Sequence, residues 1–264
     1  MKRLAAAATR GYLFRMNVTE RFSNRVENYR RYRPSYPAGV IDLIRETAGL
    51  RPGAAVADVG SGTGILTRLL LDVGWEVYAV EPNAPMRQAA ESDLGAHARF
   101  HSVDASAEAT GLPGASVEAI TCAQAFHWFD RDAAHAEFAR ILKPEGWMFI
   151  IWNERQLGGA FDRAYYEILA SLGHAYDGVR ERSNDQALEP FFRAGTYRTA
   201  QFPNPSRLDW ETLRGRFLSS SYVPAEGDPR QPELIAWLER IFREHQRGGV
   251  VVVDSTANVY FGKL

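Results

Sequence analysis

Short apolar runs alternate with stretches of helical periodicity through the middle of the chain. Val56-Ala-Asp-Val59, Trp75-Glu-Val-Tyr-Ala-Val80, Arg99-Phe-His-Ser-Val103, Val117-Glu-Ala-Ile-Thr-Cys122 and Trp147-Met-Phe-Ile150 have the length and apolar character of strands. Helical patterns lie between them: Ile65-Leu-Thr-Arg-Leu-Leu70 after the first strand, Ala84–Ala90 after the second, and Ala133, Ala136, Phe138 and Leu142 before the fifth. Asn83 is the expected cap of the Ala84 helix, which tolerates Pro85 in its first turn; Asp130 or Asp132 caps the later helix, which Pro144 ends. Strands and helices in this alternation predict an α/β domain with a doubly wound, mostly parallel sheet and helices on both faces.

The pattern changes at both ends. Phe22–Pro34 is basic and aromatic, Tyr36-Pro37 stops it, and Val40, Ile41, Leu43 and Ile44 begin an amphipathic helix. Beyond Trp152-Asn153, Phe161–Leu172 reads as a helix, 173–190 as polar and turn-rich, and Tyr197–Phe202 as an alternating strand. Two more helices are expected near 209–219 and 231–246, before an apolar run, Val250–Phe261, that reads as one terminal strand.

The 264 residues suit one large α/β domain carrying a modest cap. Residues 1–15 are expected to be a flexible tail, because Arg10 interrupts an apolar stretch too short for a signal peptide, and Met16 is an alternative start. Residues 16–264 then form the single domain, with 16–48 as an amino-terminal lid and 155–249 as substrate-side helical additions. A formal net charge of −1 leaves no electrostatic footprint for nucleic acid, and no apolar run has the length of a membrane span. A cytoplasmic location is expected, and oligomeric state is not legible. The one cysteine, Cys122, sits in a strand pattern and reads as a buried thiol; the six histidines lack a compact zinc spacing, so no metal is expected.

The chemistry starts at Val56-Ala-Asp-Val-Gly60-Ser-Gly62-Thr-Gly64, where a strand runs directly into three alternating glycines and a helix. Glycine at such a turn permits positive φ and a close backbone approach to a ligand, and the helix adds unpaired N–H groups. The dinucleotide fingerprint Gly-x-Gly-x-x-Gly would place the third glycine one residue later. The stretch resembles motif I of the class I S-adenosylmethionine-dependent methyltransferases. That resemblance extends over residues 50–155 and implies a seven-stranded Rossmann-like sheet with an antiparallel strand inserted near its end. It also implies direct in-line methyl transfer from S-adenosylmethionine, with S-adenosylhomocysteine as product.

Carried over residue by residue, the resemblance assigns the donor site. Asp58 orients the loop near the methionyl amine, and Gly60, Ser61 and Gly62 form the turn. Glu81, followed by Pro82, takes the ribose hydroxyls, as a carboxylate with two acceptor oxygens is able to do. Asp104 accepts from the adenine amino group while the N–H of Ala105 meets a ring nitrogen. Gln124 and Ala125 cradle the sulfonium, with Phe126, Trp128 and Phe129 as an aromatic wall that attracts positive charge. The amino-terminal Tyr-Arg-x-x-Arg-Pro-x-Tyr-Pro resembles the lid of a small-molecule subgroup similar to trans-aconitate methyltransferases. Tyr29 and Arg33, four apart, share a helical face there; Tyr29 is placed against the donor and Arg33 against an acceptor carboxylate or the donor's own. Arg33, His127 and Trp128 are the candidate catalytic residues, with His127 read as a base, a support for the adenine loop, or packing. A carboxylate acceptor needs no base at neutral pH. Three alternatives stay open: a nicotinamide oxidoreductase, which shares Gly60, Gly62 and Glu81, a noncatalytic S-adenosylmethionine-binding protein, and a methyltransferase acting on protein or nucleic acid.

Overall fold

Five apolar segments pair in parallel because their connections carry the chain back over a face of the sheet before each new strand begins. In the computed structural model, which describes residues 25–173 and 188–264, they are β1 (Ala55–Val59), β2 (Glu76–Val80), β3 (Phe100–Val103), β4 (Val117–Ala123) and β5 (Leu142–Arg155). The helices of this half are α1 (Val26–Tyr32), α2 (Ala38–Ala48), α3 (Ile65–Asp72), α4 (Ala84–Leu94) and α5 (Arg131–Ile141). There follow α6 (Ala160–Ser171), β6 (Arg198–Pro203), β7 (Ser206–Leu208), α7 (Trp210–Leu218), α8 (Gln231–His245), β8 (Val251–Val253) and β9 (Ser255–Gly262). The seven-stranded sheet has the order β3-β2-β1-β4-β5-β9-β6, with β9 antiparallel to both neighbours. Strand order reverses between β1 and β4, so a crevice opens beyond their carboxyl ends. The expected tail at 1–15 and much of the polar stretch 173–190 lie outside the described residues.

Local chemistry sets the boundaries. Asn83 Oδ1 accepts from the Met86 N–H at 2.9 Å, and Asp130 rather than Asp132 caps α5, accepting from Ala133 at 3.2 Å. That helix stops at Ile141, and Pro144 already lies within β5. The run expected as one terminal strand is two. Val251 and Val253 face a core formed by α6, α7 and α8, pairing through β8 with β7, whereas Ala257, Val259 and Phe261 of β9 face the main sheet's core. Alternation has the same period on both sides of Asp254, so the sequence does not mark the division.

The helical additions build their own core from Phe161, Tyr165, Ile168, Leu213, Phe217 and Leu238. Helix α1 has no fully buried residue and is held by polar anchors instead. The buried Arg25 donates to the carbonyls of Leu218 at 3.5 Å, Val223 at 2.5 Å and Ser220. Arg30 Nε donates to Asp93 Oδ2 on α4 at 2.6 Å, and the Tyr32 hydroxyl to Glu211 Oε1 on α7 at 2.8 Å. The segment read as a lid therefore bridges α4 to the helical additions.

Tyr32 packs where Gly215 leaves room: a Cβ there would stand 2.1 Å from the ring. Gly215→Ala gains helix propensity but must displace that ring, and the clash is expected to outweigh the gain, with a net loss of about 1–2 kcal/mol. Hydrogen exchange is expected to accelerate at 26–33 and not in β1 or β4; unchanged exchange at 26–33 contradicts this packing.

Candidate active site

The turn after β1 uses three positive φ values: 70° at Gly60, 58° at Gly62 and 81° at Gly64. Their surroundings separate their roles. A Cβ on Gly60 would lie 2.4 Å from Ala125 Cβ, and one on Gly64 would lie 2.7 Å from Leu94 Cδ1, so both residues permit close packing. A Cβ on Gly62 would meet nothing within 4 Å, so this residue faces open space. Beside it, the buried Oγ of Ser61 and Oγ1 of Thr63 have no hydrogen-bond partner.

Asp58, 1% exposed, lies at the switch point and accepts from Thr67 Oγ1 of α3 at 2.6 Å and Thr121 Oγ1 of β4 at 2.9 Å. Burial pushes its pKa up to about 6, opposed by these two hydroxyls. Both oxygens are thus committed to hydroxyls of α3 and β4, on either side of the turn that Asp58 was expected to orient. Glu81, at the end of β2, is fixed by two backbone donors: Gly62 N–H to Oε2 at 2.9 Å and Asn83 N–H to Oε1 at 2.8 Å. Burial raises its pKa too, with the two N–H groups opposing. Each oxygen keeps a further lone pair for a hydroxyl donor. Pro82 carries the chain from Glu81 to the Asn83 cap.

Asp104 is exposed and its Oδ2 accepts from Arg87 Nη2 at 2.8 Å. Arg87 Nη1 also donates to the Glu81 carbonyl at 3.0 Å, tying together the loops after β2 and β3. Sequence reading missed Arg87, which carries no motif signal; its position near the start of the helix after Glu81 was the available hint. The Ala105 N–H, expected to face adenine, donates to the Val103 carbonyl at 3.1 Å.

Beyond β4, Gln124 holds a left-handed conformation, φ 57°, unusual for a side chain of its size. Its N–H donates to the Ile151 carbonyl at 2.9 Å and its Nε2 to the Asn153 carbonyl at 3.2 Å, so β5 enforces the turn. Ala125 then packs on Gly60, as does Phe129, 3.3 Å from where that glycine's Cβ would be. His127 and Trp128 are partly buried, their ring centroids 4.7 Å apart. Phe126, expected in the chamber wall, is instead fully buried, its ring 4.7 Å from that of Phe191. An apolar side chain at a tight turn below the sheet edge gains more from the core than from the crevice.

Tyr29 and Arg33 meet on one face at the end of α1. Helix α1 ends at Tyr32; Arg33 is extended, its N–H capping the Tyr29 carbonyl at 3.2 Å and its Cζ 4.9 Å from the Tyr29 ring. Burial raises the Tyr29 pKa, the Arg33 charge opposes it, and Glu81 adds to it, so the phenol lies in the fields of both groups. The segment after Arg33 is pinned over the sheet edge, where the Ser35 carbonyl accepts from Asn153 Nδ2 at 3.3 Å and Asn204 Nδ2 at 2.8 Å. Tyr29, Arg33, Asp58, Gly60, Gly62, Glu81, Gln124 and Ala125 therefore gather at one end of the sheet, with Asp104 on the outer side. Among the described residues no group of three or more His, Cys, Asp or Glu is placed to hold a metal, and no helix is long and apolar enough to cross a membrane.

The raised Asp58 pKa has a pH signature. Between about 4 and 6 the native state binds more protons than the unfolded chain, so this group's contribution to stability is full below pH 4 and lost as pH rises through 6. Asp58→Asn is therefore expected to be more stable than the parent at pH 8 by about 1–3 kcal/mol, with the gap closing by pH 4. Denaturant titrations at the two pH values check this, and a gap independent of pH contradicts it.

Residues 57–150 match the family described as a methyltransferase domain. An uncharacterized methyltransferase of Mycobacterium tuberculosis is 36% identical over 168 residues, which cover 64% of this chain and 65% of that protein's own length. An uncharacterized methyltransferase-like protein of Schizosaccharomyces pombe is 33% identical over 51% of this chain and 52% of its own. Among solved structures, one assigned as a type II methyltransferase from Anaeromyxobacter dehalogenans superposes with a TM-score of 0.62 at 23% identity, covering 88% of this chain and 98% of that one. A Haemonchus contortus phosphoethanolamine N-methyltransferase, solved with phosphomonomethylethanolamine and S-adenosylhomocysteine, gives 0.56 at 14% identity, covering 93% of this chain and 58% of that one. Residues 57–150 are thus similar to methyltransferase domains, and the sheet order gives the chain the fold of the methyltransferase structures it superposes on.

Proposed function

We propose that the protein transfers the methyl group of S-adenosylmethionine to a carboxylate oxygen of a small-molecule acceptor, releasing S-adenosylhomocysteine. The observation that carries the donor assignment is Glu81, whose carboxylate is held by the Gly62 and Asn83 N–H groups beside the open face of Gly62. The partnerless Ser61 and Thr63 hydroxyls fit a polar ligand seated there. S-adenosylmethionine supplies an electrophilic methyl on a positively charged sulfur.

The chain's own residues then divide the work. Glu81 takes the ribose hydroxyls, and Asp104 with Ala105 borders the adenine. Asp58 keeps the Gly60–Gly64 turn in register with β4, where Gln124 and Ala125 form the floor and Trp128 a wall. Tyr29 covers the methionyl end from α1, next to Arg33. Arg33 orients the acceptor carboxylate, which is already ionised at neutral pH, so proton removal by His127 is not required. Alignment of acceptor and methyl supplies the rate enhancement. Two of the other readings, a nicotinamide enzyme and a noncatalytic S-adenosylmethionine binder, share the turn; the early third glycine disfavours the first.

Glu81→Ala is expected to weaken S-adenosylhomocysteine by about 1–3 kcal/mol, roughly ten- to a hundredfold, because the ribose hydroxyls lose their acceptors. Isothermal titration measures this; unchanged affinity in the folded variant removes Glu81 from the site, and wild-type protein preferring NAD reverses the donor assignment. The glycines separate binding from folding. Gly62→Ala adds a methyl to the open face and is expected to cost affinity beyond about 1 kcal/mol of φ strain, whereas Gly60→Ala collides with Ala125 and is expected to lower the Tm first. Thermal melting with and without S-adenosylhomocysteine distinguishes them, and a Gly62→Ala protein that binds like the parent contradicts the placement.

A further inference from the structure

One guanidinium joins the two residues assigned to the nucleoside. Arg87 closes the first turn of α4, its N–H donating to the Asn83 carbonyl at 2.9 Å, and its side chain is only 14% exposed. Nη1 donates to the Glu81 carbonyl at the end of β2 at 3.0 Å, and Nη2 donates to Asp104 Oδ2 beyond β3 at 2.8 Å. Nε lies 3.6 Å from Glu91 Oε1, one turn further along α4, and that oxygen also accepts from Ser102 Oγ of β3 at 2.6 Å. Each nitrogen of the guanidinium therefore faces an oxygen, and the three partners lie on different segments, which fixes its plane.

Stability does not account for this arrangement. The Asp104 side chain is 69% exposed, and an ion pair to an acid so open to water adds little to the fold. What the pair changes is the freedom of Asp104. An exposed carboxylate turns about its terminal torsion and offers either oxygen in many directions; with Oδ2 tied to a fixed guanidinium, Oδ1 is left for a ligand, in one direction. The other group assigned to the base, the Ala105 N–H, is taken by the Val103 carbonyl at 3.1 Å. Discrimination between bases at this end of the sheet therefore falls on Asp104 Oδ1.

We propose that Arg87 is a positioning residue that makes the donor site select a 6-aminopurine over a 6-oxopurine nucleoside, by holding Asp104 in one orientation. The inference rests on the assignment of Glu81 and Asp104 to an S-adenosyl donor, and adds the residue that makes the base contact selective. Adenine presents N6–H donors beside an acceptor at N1; hypoxanthine presents an O6 acceptor beside an N1–H donor. Against adenine, the held Oδ1 accepts from N6–H. Against hypoxanthine it meets O6, and two acceptors face each other with no proton between them. A carboxylate free to turn follows the donor to N1–H, whereas one tied to Arg87 does not.

The test measures the affinities of S-adenosylhomocysteine and S-inosylhomocysteine by isothermal titration in the full-length parent, Arg87→Met, Arg87→Lys and Asp104→Ala. The parent is expected to prefer S-adenosylhomocysteine by at least about tenfold, and Arg87→Met to bring that preference within about threefold of unity. Asp104→Ala is expected to lose the preference equally, because Arg87 acts through that carboxylate. Arg87→Lys keeps the charge but not the planar fork, and its preference is expected to stay within about threefold of unity too. A merely structural arginine weakens both nucleosides alike and leaves their ratio where the parent has it. That outcome, a parent that binds the two nucleosides equally, a preference kept by Asp104→Ala, or one restored by Arg87→Lys overturns the proposal. A parent that binds neither nucleoside sinks the donor reading with it, whereas an unchanged ratio in Arg87→Met leaves the donor reading standing and removes Arg87 alone.

Discussion

The buried Asp58 carboxylate is the constraint from which the site follows. A charge so thoroughly removed from water is destabilising at neutral pH, and the two hydroxyls that offset it come from different elements, Thr67 on α3 and Thr121 on β4. The carboxylate therefore fixes how the first helix leaves β1 and where β4 lies beside it. Between those two elements strand order reverses, and the turn of Gly60 to Gly64 spans the opening. Glu81 reinforces the same turn from β2 by accepting from the Gly62 N–H. An anion that holds the loop by its backbone in this way keeps lone pairs free for a hydroxyl donor.

A second feature joins the halves of the molecule. Helix α1 buries no residue fully, so its position comes from Arg25 on the carbonyls after α7, Arg30 on Asp93 and the Tyr32 ring over Gly215. These anchors bring Tyr29 into the fields of Glu81 and Arg33. Polar anchors of this kind open locally at lower cost than a packed apolar face, which suits a segment expected to act as a lid.

Much of the fold was legible because its signals are local. Apolar strands running into Gly60 and Glu81, the Asn83 cap and the spacing of the helices each depend on a few neighbouring residues, and the structure keeps all of them. What sequence missed is set by distant partners. The break at Asp254 depends on which of two cores each side of an evenly alternating run meets, and Phe126 turns inward because Phe191 lies below it. Arg87 links Glu81 to Asp104 across two loops. Arg33 was legible from its four-residue spacing to Tyr29, because its N–H closes the last helical turn on the Tyr29 carbonyl and leaves the two side chains together.

The most direct test of the account is a structure of the protein crystallised with S-adenosylhomocysteine. The account predicts ribose hydroxyls on Glu81, adenine bordered by Asp104 and Ala105, and the sulfur above Gln124 and Ala125, facing Tyr29 and Arg33. A nucleoside bound away from residues 58–64 and Glu81, or no bound nucleoside at saturating concentration, would contradict it.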